Sequence, residues 1–141
     1  MTKTKKAYIP SKIELEGLLS ITKEDSIQRW AMLHFSYFAG LRSMEIASLS
    51  IEDVFQGNEL KGMAQLPTKG GGTRRITLVD KKLRSAISTF YEVQNLSAKP
   101  MTAPLFTNPS GGRFTPNAVV KQFVKMYQKA NLPCSSLCGR R

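Results

Sequence analysis

A chain of 141 residues, 41% of them hydrophobic, is long enough for one domain with its own core and too apolar to stay disordered. Its 21 Lys and Arg outnumber 10 Asp and Glu, a formal net charge of +11 that points to a polyanionic partner, because each cation meeting a phosphate releases a condensed counterion. No apolar run approaches membrane-spanning length and none follows Met1–Lys6 as a signal segment would, so the expectation is a cytoplasmic protein with no membrane partner.

In chain order, residues 1–7 read as a basic arm and residues 8–141 as a single domain. Ser11 and Glu14 form a capping box for a first helix whose apolar face carries Leu15, Leu18 and Leu19. Asp25 or Ser26 caps a second helix. There Ile27, Trp30, Ala31, His34, Tyr37 and Phe38 recur at helical spacing, while Met32, Leu33 and Phe35 make the other faces apolar too, so this helix is expected at the centre. Gly40 suits a left-handed C-cap, Ser43–Leu49 a short third helix, and Ser50 a further cap and turn. The helical period then lapses. Leu60–Leu66 and Arg75–Val79 are predicted strands joined through Pro67 and three glycines.

Asp80 caps a fourth long helix carrying Leu83, Ala86, Ile87, Phe90 and Tyr91. Pro100–Gly112 reads as a turn-rich connection with Leu105 and Phe106 tucked inward. Thr115 and Pro116 open a last helix with Val120, Phe123, Val124 and Tyr127 facing the core and Lys121, Lys125 and Lys129 forming a basic stripe. The fold class is therefore mainly α with a small antiparallel β-sheet. Cys134 and Cys138 lie four apart, but a zinc site lacks further ligands because the only histidine, His34, is on a separate helix, so no metal is expected.

Three basic positions carry candidate chemistry. Arg42 follows the Gly40 cap, and Glu45 lies within reach of an (i, i+3) contact that would hold its guanidinium for phosphate. Lys69 sits in Thr68-Lys69-Gly70-Gly71-Gly72-Thr73, where backbone can approach a ligand, and Arg74 and Arg75 add positive potential. Arg140 and Arg141 end Ser135-Ser136-Leu137-Cys138-Gly139-Arg140-Arg141. No Walker-type phosphate loop is present, and no cofactor is implied.

Together, Gly40-Leu41-Arg42-Ser43-Met44-Glu45-Ile46, the lysine between two strands and the terminal motif resemble the catalytic domain of the tyrosine recombinases, the phage-integrase superfamily, from about Tyr8 onward. The resemblance implies a double-stranded DNA substrate, other recombinase protomers as partners, and no small-molecule cofactor. It implies that Arg42 and Arg140 stabilise charge on the attacked phosphorus, that Glu45 supports them, and that Lys69 is general acid for the leaving 5′-hydroxyl. Lys69, Arg74, Arg75, Lys121, Lys125 and Arg141 would widen the DNA-binding surface.

Two departures set the functional expectation. Leu137 occupies the position of the motif histidine, and the sequence contains no tyrosine at the family's nucleophile position, so a DNA-binding domain truncated before the C-terminal helices and inactive alone is expected. Tyr37, Tyr91 and Tyr127 fall on apolar helix faces, and Tyr8 precedes the first helix. One alternative is a subunit completed in trans by a partner's tyrosine, which Leu137 argues against. The other is a generic basic nucleic-acid scaffold dominated by Lys121, Lys125 and Lys129, which the core placement of the aromatics disfavours.

Overall fold

Every long helix begins at a side-chain cap that the sequence announces. In the computed structural model, which describes residues 10–68 and 70–133, α1 (Lys12–Asp25) starts with Ser11 Oγ accepting from the Glu14 amide at 3.2 Å while Glu14 Oε1 accepts from the Ser11 amide at 2.9 Å. Ser26, rather than Asp25, caps α2 (Ile27–Ala39). Asp80 caps α5 (Lys81–Val93) and Thr115 caps α6 (Pro116–Lys129), with α3 (Ser43–Ser48), α4 (Ile51–Val54) and a 3₁₀ turn at Leu96–Ala98 completing the helices. Among the described residues, no helix is long and apolar enough to cross a membrane. The expected arm, Tyr8, Cys134, Leu137, Cys138, Arg140, Arg141 and Lys69 all lie outside the described residues.

The second helix is the centre of the molecule, as its all-round apolar sequence requires. Ala31 through Ser36 are buried without a break, and α2 packs against α1, α3, α5 and α6. Leu105 and Phe106 are buried under the long connection, where Phe106 meets Phe35 edge-on.

The β-structure differs in detail from the expectation. Instead of one hairpin starting at Leu60, the chain makes two separate antiparallel pairs, β1 (Phe55–Gln56) with β2 (Glu59–Leu60) and β3 (Met63–Pro67) with β4 (Thr73–Thr77). A turn at Gly57–Asn58 closes the first pair, and Lys61 and Gly62 separate it from the second. In the second pair Ala64 faces Ile76 and Leu66 faces Arg74, so Ala64, Leu66 and Ile76 reach the core by strict alternation. Strand β4 ends at Thr77 because the next residues, Leu78 and Asp80, are used to plug the core and cap α5.

The inward face of α6 also shifts. Val119, Phe123, Met126 and Tyr127 are buried, whereas the expected Val120 and Val124 are only half-buried. Both sets follow a helical stripe, and packing against α3, α1 and α2 selects the one that buries Val119 and Met126.

Candidate functional site

The site is built at the corner where α2 gives way to α3. Gly40 adopts φ +71, a left-handed conformation that stops α2, and Leu41 then enters the core with its amide bonded to the Phe35 carbonyl at 3.2 Å. This leaves Arg42 in extended conformation at the N-cap of α3, exposed, with no hydrogen-bond or ion-pair partner for its guanidinium among the described residues.

Glu45 does not make the expected side-chain contact with Arg42. Its carboxylate is buried, 3% exposed, and Oε1 accepts from the Arg42 backbone amide at 2.9 Å. The same oxygen takes Arg74 Nη1 at 2.6 Å, while Arg74 Nη2 donates to the Gly40 carbonyl at 3.1 Å. An N-cap without a side-chain acceptor explains the first bond, since Arg42 has no oxygen to offer the helix start and the third helical residue reaches back alone. Burial explains the second, because a carboxylate out of water needs a charged donor.

Arg74 and Arg75 therefore part company. Alternation along β4 places Arg74 on the inward side with Ile76 and sends Arg75 to the solvent side. Arg74 retains 36% side-chain exposure, but its fork is committed to the corner.

The hairpin end is close to this corner by register. Pro67 pairs with Thr73, one step beyond the Leu66–Arg74 pair, and the Thr68 amide bonds to the Gly72 carbonyl at 2.9 Å. Gly70 and Gly71 have φ +139 and +90, a backbone that side chains rarely allow. Lys69 belongs to this loop in sequence and, with Arg140, lies outside the described residues.

Lys121 and Lys125 are exposed on α6 as expected, and Lys129 is tied to Asp25 at 2.7 Å. Lys125 borders a shallow depression of about 420 Å³ with Arg29, Gln28, Asn108 and Gln122, and Arg42 is not part of that lining. Its polar rim is internally bonded: Gln28 clips both the amide and carbonyl of Thr107, and Arg29 Nε donates to Gln122 at 2.7 Å.

Two structural arginines were invisible to the sequence reading. Arg113 donates to the Ala47 and Leu49 carbonyls and to Ser50 Oγ, capping the end of α3 from a distant loop. Arg84 donates to the carbonyls of Leu60, Lys61 and Leu78, tying α5 to both hairpins. No local motif signals either, because the acceptors lie 6 to 66 residues away in sequence.

The described tyrosines are engaged. Tyr37 and Tyr127 share a hydroxyl–hydroxyl hydrogen bond, with Tyr127 only 1% exposed, and Tyr91 donates to Asn58 at 2.9 Å. His34 is a core residue stacked on Phe38, with Trp30 edge-on and its Nδ1 bonded to the Trp30 carbonyl at 2.8 Å.

Comparison with known proteins decides the family. The profile of the phage integrase family matches residues 11–136, nearly the whole chain. The chain belongs to the phage integrase family. It is 29% identical over 121 residues to tyrosine recombinase XerC of Actinobacillus succinogenes, a match covering 82% of this chain and 39% of that protein. Among solved structures it resembles XerA recombinase with a TM-score of 0.74 at 17% identity, covering 96% of this chain and 47% of that one. It also resembles lambda integrase bound to DNA, with a TM-score of 0.66 at 11% identity, over 94% of this chain and 46% of that one. These structural likenesses show the fold, and this integrase-family chain spans less than half the length of each of these three relatives.

Proposed function

We propose that this integrase-family chain binds duplex DNA through phosphate contacts centred on the α2–α3 corner, as the DNA-gripping part of a site-specific recombination activity. The observation that carries this reading is Arg42: an exposed guanidinium, free of any described partner, rooted on a backbone pinned by a buried carboxylate. A planar fork of donors rooted on rigid backbone suits phosphate oxygens, and it loses less freedom per hydrogen bond formed than a lysine ammonium would. Lys69 and Arg140 are proposed as its partners around one phosphate, by their match to the family motifs, with Arg75, Lys121, Lys125 and Arg141 extending the cationic surface. The net charge of +11 and the DNA-bound state of the lambda integrase structure support the same reading.

Strand cleavage by this chain alone is not part of the proposal. Leu137 can neither donate nor accept a proton where the family's motif has histidine, and Tyr37, Tyr91 and Tyr127 are held in packing and hydrogen bonds. Other recombinase protomers are proposed as its partners on DNA. Fluorescence anisotropy with a labelled duplex tests the binding claim: Arg42→Ala should weaken binding by roughly tenfold, the order of a lost charge-assisted hydrogen bond pair. If the triple substitution of Lys121, Lys125 and Lys129 to Ala abolishes binding while Arg42→Ala leaves it unchanged, a generic basic surface replaces this reading. A nicked suicide duplex should yield no covalent adduct with the chain alone, and an adduct would show that it cleaves unaided.

A further inference from the structure

We propose that Arg74 is a positioning residue for Arg42, acting through Glu45 and the Gly40 carbonyl without itself contacting the bound phosphate. The inference rests on the DNA-binding reading above for its biological meaning, and on the corner's geometry for its substance.

The two ends of a very short link are fixed by the same side chain. Between Gly40 and Arg42 the chain has only Leu41, which is buried and cannot swing. On one side Arg74 Nη2 holds the Gly40 carbonyl at 3.1 Å, and on the other Arg74 Nη1 holds Glu45, whose Oε1 in turn receives the Arg42 amide. Arg42 thus projects from backbone anchored before and after it, although its own side chain is free in solvent. Remove the fork, and the Gly40 carbonyl and the Glu45 carboxylate lose their common clamp together. A lysine cannot replace it, since one ammonium on a flexible stem cannot span a carbonyl and a carboxylate with fixed planar geometry.

Arg74 also carries the corner's only described link to the β3–β4 hairpin through an ion pair. Because Leu66–Arg74 is the pair next to the last pair of the hairpin, the clamp joins the end of β3–β4 to the backbone of Arg42. The close approach leaves room for it: a Cβ built on Gly40 would lie 3.7 Å from Arg74 Nη2, in ordinary contact.

Two probes leave the net charge of the protein unchanged and so isolate geometry from bulk electrostatics: Arg74→Lys, and the double substitution Glu45→Gln with Arg74→Met. The double variant leaves no uncompensated buried charge, which keeps the test valid if Arg74→Lys folds poorly. Duplex affinity should fall by about tenfold in either, the size of coupling seen between residues in contact. Adding Arg42→Ala to either should then cost much less than it costs in the parent protein. Unchanged affinity, or losses that add in full, would overturn the proposal, the latter by making Arg74 an independent phosphate contact. A second readout needs no DNA: the backbone ¹⁵N–H order parameter of Arg42, measured by NMR in the free protein, should drop in both variants. If the parent protein binds no duplex, the functional reading fails, yet an undiminished Arg42 order parameter is still what would sink the clamp.

Discussion

Glu45 holds a carboxylate at 3% exposure beside a guanidinium that keeps 36%, and that asymmetry dictates how the two substitutions differ. Arg74→Ala strands a buried charge and should destabilise the fold by about 3–5 kcal/mol. Glu45→Ala strands a guanidinium that can turn to water, and the cost should be about 1–3 kcal/mol, mostly the orphaned Arg42 amide. Chemical denaturation of the two variants checks the order. His34 supplies a second test. Burial pushes its pKa below the usual 6.5, against opposing help from the Trp30 carbonyl and Asp80, with Lys82 and Lys23 adding small repulsions. The unfolded chain then binds the extra proton first as pH falls, so this contribution to stability is complete above about pH 6.5 and declines as pH drops toward the depressed folded value. Thermal melts should show the midpoint falling across that window, and His34→Gln should flatten the dependence. At this scale the sequence made Arg42 legible as an exposed cation beside a helix cap. It also made His34 and the three described tyrosines legible as packed residues, because their helical spacing is local information. The ion pair of Arg74 with Glu45 was not legible, since the partner lies 29 residues away in sequence.

At the scale of elements, legibility follows the range of the interaction that decides each feature. Caps are set by side chains three residues from the amides they satisfy, and Ser11, Ser26, Asp80 and Thr115 all start helices where their chemistry says they should. Gly40 is equally local, and its φ of +71 carries a prediction: Gly40→Ala should cost about 1–2 kcal/mol, the penalty of a left-handed residue with Cβ. Denaturant titration reads that loss directly. The strands were harder. The boundary between the two hairpins depends on Arg84 gathering the carbonyls of Leu60, Lys61 and Leu78, a contact that no two-residue alternation encodes. On α6, Phe123 and Tyr127 face inward as their spacing predicts, while α1 and α3 bury Val119 and Met126 in place of Val120 and Val124, a choice between neighbouring apolar stripes that local spacing does not make.

For the molecule as a whole, the apolar centre and the cationic exterior have separate causes and separate consequences. Apolar residues on every side of α2 place it at the core, and a net charge of +11 by itself favours a polyanionic partner. What the sequence motifs add is a focus for that charge at one corner, and this focus is the central claim. The salt dependence of duplex affinity tests it most directly, because each phosphate neutralised contributes about 0.9 to the slope of log K against log salt. The parent protein should show a steep slope, and Arg42→Ala a slope shallower by about 0.9, one phosphate contact fewer. Identical slopes for the two proteins would contradict the account and return the charge to an undirected surface.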